Sequence, residues 1–357
     1  MTDIDPTKTA RPEILALKPY ASARALADAA GILLNANENP WPPAGDTELA
    51  LNRYPDPQPP ALKARLAELY GVDPERLLIT RGSDEGIDLL QRAYCRQGLD
   101  RVLVSPPCFG MYALSARVQG AEVVEAPLVE MEHGFDLPDD LESRAADCRL
   151  VFLCSPNNPT GNLIDPERVA KLADAQAESG LVVVDEAYIE FAPKTSVLEL
   201  LDTHRNLVVL RTLSKAHALA GCRLGCVIAD PAVVDLLRRI IAPYPLPTPT
   251  VAAAMRALTP EALAESARHL ETLASEKERL VAALSSHPGV AGLWPGHANF
   301  VLIRARDGAG LVRSAQQAGI LLRDQSAQPG LADCVRVTVG TPEDNDALID
   351  FLQGWRP

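Results

Sequence analysis

Short hydrophobic runs alternate with amphipathic stretches through the first two thirds of the chain. The runs are strand-sized and bounded by polar or turn residues, which is typical of buried strands. They lie at 77–80, 102–104, 150–153, 181–184, 207–210 and 224–228. Stretches of helical length and periodicity lie between several of them, at 85–96, 111–118 and 166–179. The alternation of strand and helix predicts an α/β domain with a largely parallel sheet.

The pattern changes beyond residue 251, where helical periodicity dominates with one break at Thr259-Pro260. Further hydrophobic runs predict strands at 299–304, 320–323 and 335–339. These elements predict a second, smaller α+β domain.

Seven prolines fall between Pro40 and Pro60, so this segment cannot form regular structure over its length and should run extended. Within it, the prolines beside Tyr54 stiffen the chain. The segment is either a linker or a place where Tyr54 contacts a binding site. The preceding segment 11–30 is expected to pack against the small domain. We therefore expect three parts, which are an N-terminal arm with part of the small domain at 1–30, a large domain at 31–250 and a small C-terminal domain at 251–357.

Length, composition and charge narrow the class of protein. A chain of 357 residues with 47% hydrophobic content can bury more than one core. The formal net charge of −13 argues against a broad nucleic-acid or anionic-membrane surface, since either needs a positive face. The longest apolar runs are far shorter than the ~20 residues that cross a bilayer. Residues 1–12 contain no apolar core of secretory length, so no signal peptide is expected.

The seven cysteines are dispersed and form no Cys-x-x-Cys pair. This pattern favours thiols in a reducing compartment, and we expect a cytoplasmic protein. Zinc binding by Cys222 and Cys226 is disfavoured because the chain around them does not complete a zinc ligand pattern. Both are better interpreted as small buried apolar residues, and no metal site is expected.

Four polar segments follow predicted strands, where ligands bind in open α/β sheets. The first, 80–86, ends a strand and opens a helix, and the backbone N–H groups of such a junction suit a phosphate. The alternative is ordinary helix capping by Ser83 or Asp84, which is the commoner role. The spacing matches neither a Walker loop nor the dinucleotide fingerprint.

The second and third segments add an amide and a carboxylate. The turn 155–161 contains Asn158, whose amide can donate to a ligand oxygen. Asp185 follows a strand of hydrophobic residues, where a carboxylate is costly unless it is paired. A protonated ring nitrogen would supply the missing cation. A metal held by Asp185 and Glu186 is disfavoured because adjacent strand residues point to opposite faces.

The fourth segment, 211–223, contains Lys215. A lone lysine after a strand is most often a solvated surface charge. Here the hydroxyls of Thr212 and Ser214 and the guanidinium of Arg223 lie close in sequence. Together these groups can bind one dianion beside a lysine amine.

In this order the four segments resemble those of the fold-type I pyridoxal-phosphate aminotransferases, and the similarity runs over almost the whole chain. Within that family the chain is similar to the enzymes that act on histidinol phosphate. The motifs lie at 18–20, 34–40, 54–56, 82–85, 156–161, 185–188, 212–215, 322–325 and 335–340. The resemblance implies a three-layer αβα large domain with a mainly parallel sheet, and a smaller α+β domain.

The resemblance also implies roles toward pyridoxal 5′-phosphate. Lys215 would form a Schiff base with it and, once released by substrate, move a proton between Cα and C4′. Asp185 would pair with the pyridinium nitrogen, and Asn158 and Tyr188 would donate to the 3-oxygen of the ring. Phe109 stands where the family commonly has a tyrosine stacked on the ring, so stacking is kept and a hydroxyl is absent.

The cofactor phosphate would be held by groups from several segments. By resemblance these are the backbone at Ser83 and Asp84, the side chains of Thr212 or Ser214 and Arg223, and Tyr54 of the neighbouring subunit. The last contact implies a homodimer with shared active sites. A free lysine has a pKa of about 10.4, so Lys215 needs a lowered pKa to act as a base, which burial and nearby cations can provide.

Substrate contacts follow from the same resemblance. Arg336 matches the arginine that grips the α-carboxylate of the amino acid, and Arg323 and Tyr20 match positions used toward a substrate phosphate. Tyr244 either contacts the neighbouring subunit's site or packs at the subunit interface. His217 replaces a residue that is often aromatic in the family, and no role is expected for it.

The implied reaction moves an amino group between L-histidinol phosphate and 2-oxoglutarate in histidine biosynthesis. Two alternatives share the fold, an aromatic amino-acid aminotransferase and a phosphothreonine-type decarboxylase. Arg323 and Tyr20 disfavour the first, and the sequence does not reveal the substrate orientation that decides the second. A noncatalytic binding protein is disfavoured because Lys215 and Asp185 are both present, and a nucleotide-binding protein because its motifs are missing.

Overall fold

The computed structural model describes residues 5–20, 32–46, 48–132 and 134–356. Its strands are β1 (Leu77–Thr80), β2 (Arg101–Val104), β3 (Glu122–Glu125), β4 (Val129–Met131), β5 (Gly134–Asp136), β6 (Leu150–Cys154), β7 (Leu181–Asp185), β8 (Leu207–Thr212), β9 (Gly225–Ala229), β10 (Val290–Trp294), β11 (Phe300–Ala305), β12 (Arg323–Asp324) and β13 (Cys334–Thr338). Its α-helices are α1 (Pro12–Leu15), α2 (Pro60–Tyr70), α3 (Gly82–Tyr94), α4 (Met111–Gln119), α5 (Leu141–Ala145), α6 (Pro166–Ala175), α7 (Pro231–Arg238), α8 (Thr248–Ala257), α9 (Pro260–Ser285), α10 (Gly308–Gln317) and α11 (Pro342–Gly354).

The larger sheet has the strand order β1-β9-β8-β7-β6-β2-β3. Its neighbours from β8 through to β3 are parallel, whereas β9 is antiparallel to both β8 and β1. The predicted α/β fold with a largely parallel sheet is confirmed. Because β6, β7 and β8 are parallel, their carboxyl ends meet at the same edge of the sheet.

Helices cover both faces of this sheet and give it three layers. Side chains alternate along each strand, so in β7 Val182 and Val184 face one core while Leu181 and Val183 face the other. The first core packs against α2, α6 and α8, and the second packs against α3, α4 and α7. The same alternation decides where the polar residues at the ends of β7 and β8 point.

The smaller sheet is antiparallel, with the order β10-β11-β13-β12. It packs against α9, α10 and α11 through Leu280, Leu311 and Leu348, among others. The predicted break is the start of α9, because the hydroxyl of Thr259 accepts a hydrogen bond from the backbone N–H of Ala262 at 3.3 Å. An antiparallel sheet packed against helices is the expected α+β type. The exact domain boundaries stay a prediction.

Several elements differ from the pattern-based expectation. The strand expected at 320–323 is limited to β12, because the N–H of Ile320 closes the end of α10 by donating to the carbonyl of Ala315 at 2.8 Å. Helix α3 begins before residue 85, and α6 ends before residue 179. Strands β3, β4 and β10 have no predicted counterpart, since exposed residues interrupt their hydrophobic runs.

The described part of the proline-rich segment contains no helix or strand before α2 begins. The side chain of Glu38 accepts hydrogen bonds from the guanidinium of Arg53 at 2.8 Å and from the backbone N–H of Tyr54 at 2.7 Å. The ring of Tyr54 stacks on Tyr244 with centroids 4.4 Å apart. The described residues of the segment therefore form no regular structure, as predicted, and they are fixed around Tyr54. The segment is not extended throughout, because the N–H of Asp46 donates to the carbonyl of Pro43 at 3.1 Å and the N–H of Arg53 to that of Ala50 at 2.9 Å, and each bond closes a turn.

The N-terminal residues pack beside the larger sheet. Arg11 donates its backbone N–H to the carbonyl of Ala93 at 2.9 Å and its guanidinium to the carbonyl of Arg92 at 3.0 Å. The beginning of segment 11–30 therefore lies against α3 and not against the small domain as expected, because α3 satisfies its polar groups. Residues 21–31 lie outside the described residues. No described helix is long and apolar enough to cross a membrane.

Candidate active site

A cavity of about 680 Å³ lies where the parallel strands β6, β7 and β8 end. It is lined by most of the predicted site residues, namely Ser83, Asp84, Phe109, Asn158, Asp185, Tyr188, Thr212, Ser214, Lys215, Arg223, Arg323 and Arg336. The last two come from β12 and β13 of the smaller sheet. The cavity is thus assembled from both sheets.

Asp185 is the last residue of β7 and is buried. The hydroxyl of Tyr112 donates to its Oδ2 at 2.7 Å, and the backbone N–H of Ala187 donates to its Oδ1 at 3.1 Å. Burial raises the pKa of Asp185 to about 6 in spite of these two donors. None of the ion pairs among the described residues includes this carboxylate, and it lines the cavity, from which a cation can reach it.

Lys215 lies in the loop that follows β8, with its Nζ 5.5 Å from the centroid of the Tyr188 ring. Burial lowers the pKa of Lys215, and the positive charges of Arg336 and Arg223 lower it further. The amine is therefore deprotonated more easily than that of a surface lysine. A lysine that acts as a nucleophile or base near neutral pH requires this property.

Asn158, Tyr188 and Arg336 form a chain of hydrogen bonds in the cavity. Arg336 Nη1 donates to Asn158 Oδ1 at 2.5 Å, and Asn158 Nδ2 donates to the hydroxyl of Tyr188 at 3.4 Å. The guanidinium of Arg336 also lies 5.3 Å from the centroid of the Phe300 ring. The chain connects a loop of the larger sheet to a strand of the smaller sheet.

A backbone contact supports this connection. The N–H of His297 donates to the carbonyl of Gly161 at 2.7 Å. Gly161 and Gly296 both have positive φ, at 73° and 57°. A Cβ on Gly296 would lie 2.6 Å from the Cα of Gly161, so no side chain fits between the two backbones.

The N-terminus of α3 and Arg223 form one end of the cavity. The side chain of Arg81, the residue before α3, makes no capping hydrogen bond, and Glu85 accepts from the backbone N–H of Arg81 at 2.7 Å. The next N–H groups, in the first turn of α3, have no acceptor within the helix itself. Arg223 donates to Asp84 at 2.9 Å. Gly82 permits this packing, because a Cβ there would lie 2.9 Å from Arg223 Nη2.

Two hydroxyls lie beside this helix end. Thr212 Oγ1 donates to Ser214 Oγ at 3.0 Å. Gly225, on the neighbouring strand, allows α3 to approach, since a Cβ there would lie 2.6 Å from the backbone nitrogen of Ser83. A helix N-terminus, a guanidinium and two hydroxyls together provide the donors of an anion site.

Comparison with known proteins now decides the family. The sequence matches the aminotransferase class I and II family over residues 33–352. The chain belongs to this family. It is 49% identical to the histidinol-phosphate aminotransferase of Xylella fastidiosa (strain 9a5c), over 96% of this chain and 95% of the relative. It is 47% identical to that of Stenotrophomonas maltophilia (strain R551-3), over 97% of this chain and 96% of the relative.

A solved structure agrees with these relatives. The crystal structure of histidinol-phosphate aminotransferase from Sinorhizobium meliloti in complex with pyridoxal-5′-phosphate superposes with a TM-score of 0.74. The identity is 26%, over 84% of this chain and 83% of that one. The resemblance to fold-type I aminotransferases inferred from the sequence is confirmed, together with the fold class that it implied.

Part of the aminotransferase cavity was not predicted. Its further lining residues are Cys108, Gly110, Met111, Leu114, Cys154, Ala187, Ala220, Gln325 and Gln328. Gln325 belongs to the motif at 322–325, so a signal for it was present. Tyr112 lies outside the lining and contacts Asp185 from behind, a role for which a buried aromatic residue in a helix gives no sequence signal.

Three predicted site residues do not line the cavity of the described chain, namely Tyr20, Tyr54 and Tyr244. Tyr20 is 69% exposed and Tyr54 is 47% exposed. Tyr54 and Tyr244 stack on each other and form one aromatic pair. The roles of all three at an aminotransferase site stay predictions.

A separate cavity of about 800 Å³ lies on the opposite face of the larger sheet. Glu186 points to this face and pairs with Arg211 at 2.8 Å, and Glu190 pairs with Arg211 at 3.2 Å. Asp185 and Glu186 therefore diverge, as strand alternation predicted. His217 lines this second cavity, and the described residues offer no hydrogen-bond partner to its ring nitrogens.

Proposed function

We propose that this aminotransferase transfers an amino group between L-histidinol phosphate and 2-oxoglutarate, forming imidazole acetol phosphate and L-glutamate, in histidine biosynthesis. The observation that carries the proposal is one cavity in which Lys215 and Asp185 lie together with Arg323 and Arg336. Identities of 49% and 47% to two histidinol-phosphate aminotransferases over nearly the whole chain support the same reaction.

The donor set of the cavity fits pyridoxal 5′-phosphate. Asp185 would pair with the protonated ring nitrogen, whose charge would offset the cost of burying this carboxylate. Asn158 and Tyr188 would hold the 3-oxygen, and Phe109 would lie against the ring. When bound, the cofactor supplies an electron sink for the bond broken at the substrate's α-carbon.

The cofactor phosphate would bind at the N-terminus of α3. The backbone at Ser83 and Asp84, the hydroxyls of Thr212 and Ser214, and the guanidinium of Arg223 would donate to it. The positive end of the helix dipole and the guanidinium charge both favour a dianion there. The carboxylate of Asp84 would repel the dianion, and its ion pair with Arg223 at 2.9 Å reduces that repulsion.

Lys215 is the residue that would move the proton. Its amine would hold the cofactor before substrate binds and would then take the proton from the substrate's Cα. The lowered pKa of Lys215 keeps more of its amine in the neutral form that accepts a proton. The amino donor and the acceptor would use one site in turn, so ping-pong kinetics are expected.

Substrate recognition would depend on two guanidinium groups. Arg323 and Arg336 are directly paired across β12 and β13. Arg323, with Tyr20, would bind the phosphate of histidinol phosphate, and Arg336 would bind the α-carboxylate of glutamate, because a guanidinium fork suits either oxyanion. Gln325 and Gln328 add polar groups to the same lining, which favours an oxyanion over a purely aromatic substrate.

A panel of half-reactions tests the proposed function. Cofactor-loaded protein is mixed separately with histidinol phosphate, phenylalanine, tyrosine or glutamate, and its absorbance change is followed. We expect kcat/KM for histidinol phosphate to exceed that for either aromatic amino acid by roughly 100-fold or more, since a site that binds a substrate phosphate rejects substrates that leave its donors unpaired. A preference for phenylalanine or tyrosine would indicate the aromatic enzyme. Carbon dioxide release from phosphothreonine, with no glutamate formed in the presence of 2-oxoglutarate, would indicate the decarboxylase.

A homodimer with shared sites is part of the proposal. Large apolar side chains are exposed between residues 15 and 54, namely Leu15, Leu17, Tyr20, Ile32, Leu34, Trp41, Leu51 and Tyr54. Such a concentration suits burial against a second copy of the chain. The pair formed by Tyr54 and Tyr244, anchored through Glu38, would reach the neighbouring subunit's phosphate site.

Heterodimers test the sharing of sites. A subunit with Lys215→Ala is co-expressed with a differently tagged subunit with Tyr54→Ala, and the mixed dimer is purified. If Tyr54 serves the neighbouring site, one site carries both defects and the other carries none, so about half of the native activity is expected. A mixed dimer no more active than the Tyr54→Ala homodimer would contradict sharing, and light scattering should give twice the chain mass of 38.3 kDa.

A further inference from the structure

Tyr112 lies directly behind Asp185. It is the second residue of α4, is fully buried and has no surface on the active-site cavity. Its hydroxyl donates to Asp185 Oδ2 at 2.7 Å, a length typical of strong hydrogen bonds to a carboxylate. With the N–H of Ala187 on Oδ1, the two oxygens of the carboxylate have one donor each and its orientation is fixed.

The ring of Tyr112 is held on two sides. It stacks on Phe152 with centroids 5.0 Å apart and an interplanar angle of 8°. Phe109 meets it edge-on with centroids 5.6 Å apart. The backbone carbonyl of Tyr112 accepts from Gln91 Nε2 at 2.9 Å. Phe109, Tyr112 and Asp185 therefore form one packed unit, so the hydroxyl has little freedom to leave the carboxylate.

The negative charges around Asp185 make the hydrogen bond from the Tyr112 hydroxyl important. Asp84 and Glu186 both disfavour the ionised form of Asp185, whereas Tyr112 and the N–H of Ala187 favour it. Burial raises the pKa of Tyr112 well above its ordinary value, so its hydroxyl stays protonated and can donate. Cys154, on β6, is also buried next to this group, and its thiol is directed to the carbonyl of Pro156 at 3.4 Å.

We propose that Tyr112 is a positioning residue for transamination, whose hydroxyl keeps Asp185 oriented toward the ring nitrogen of the cofactor. This inference rests on the proposed function, since it requires the cofactor to bind at Asp185. A residue that only filled the core would affect the stability of the protein, whereas a positioning residue affects cofactor binding through Asp185.

The variant Tyr112→Phe tests the inference in the full-length protein. Removal of a hydrogen bond to a charged group should raise the dissociation constant of pyridoxal phosphate for the cofactor-free protein by about 10- to 100-fold. Equilibrium dialysis measures this constant. In the loaded protein, kcat with histidinol phosphate should fall by a similar factor, while KM changes by less than about threefold, because Tyr112 does not touch the substrate.

Tyr94→Phe is the matched control. Tyr94 is also fully buried, and its hydroxyl donates to the backbone carbonyl of Pro6 at 3.2 Å, away from the cavity. This variant should leave the dissociation constant and kcat unchanged. A second test introduces Tyr112→Phe into an Asp185→Asn background, where its effect should shrink to less than about threefold, since the two residues act as one unit.

Two results would overturn the inference. One is an unchanged dissociation constant and kcat in Tyr112→Phe. The other is an equal loss of affinity with and without Asp185→Asn, which would mean that Tyr112 acts independently of the carboxylate. Failure of the proposed function looks different, since the unsubstituted protein would then bind no pyridoxal phosphate or would not transfer the amino group of histidinol phosphate.

Discussion

Replacement of Lys215 by alanine is expected to lower turnover by about 10⁴-fold, because the variant would lose both the amine proposed to hold the cofactor and the base proposed to move the substrate's α-proton. The rate of glutamate formation from histidinol phosphate and 2-oxoglutarate measures the loss. Lys215→Arg should be equally inactive, since a guanidinium stays protonated and cannot act as that base.

Borohydride and a second lysine provide the controls for this prediction. Borohydride should fix a chromophore onto the unsubstituted protein and not onto the Lys215→Ala variant. Lys63, a lysine of α2 whose pKa is also lowered by burial, lies outside the cavity, and Lys63→Ala should keep full turnover. Full turnover by Lys215→Ala would refute the role proposed for Lys215.

Replacement of Asp185 by asparagine is expected to have two opposite effects. Turnover should fall by about 10³-fold, because an amide cannot pair as an anion with a protonated ring nitrogen in a buried site. The cofactor-free protein should become more stable at pH 8. Burial raises the pKa of Asp185 from 3.8 to about 6, so the folded chain holds this proton more tightly than the unfolded chain does.

The sign of the stability effect can be measured. Because the folded-state pKa of Asp185 is raised, its contribution to stability falls as pH rises through the interval between the two values and is lowest above pH 6. Asparagine removes this cost, so urea unfolding at pH 8 should show a gain on the order of 2 kcal/mol, and at pH 3 little change. A less stable variant at pH 8 would show that the Asp185 carboxylate is better compensated than its surroundings indicate.

The core of the fold could be predicted because its strands are continuous apolar runs. The runs at 181–184 and 207–210 are buried on both faces, and the last residues of the two strands, Asp185 and Thr212, fall at the sheet edge as expected. The strand near residue 320 could not be predicted as accurately. The N–H of Ile320, where this strand was expected to begin, instead donates to the end of α10. This hydrogen bond depends on the local backbone rather than on side-chain hydrophobicity.

The candidate site was predictable in its members and less so in their connections. Arg323 and Arg336 carry no local signal for binding, and only family resemblance brought them to the site that strand pairing now gives them. The contact of Tyr112 with Asp185 depends on the packing of α4 against the larger sheet, which a pattern along the chain does not encode. The role proposed for Tyr54 requires a second copy of the chain, which one sequence does not position.

The contact of Gly161 with Gly296 brings two backbones together with no side chain between them. It sets the distance between the loop that carries Asn158 and the smaller sheet, which carries Arg336. Asn158 lies three residues before Gly161, and the hydrogen bond that it accepts from Arg336 is 2.5 Å long. A methyl group on either glycine would push the two backbones apart and draw the guanidinium of Arg336 away from the amide of Asn158. The reach of Arg336, the arginine proposed to bind substrate, would therefore depend on two glycines that lie outside the lining of the cavity and have no side chain with which to adjust it.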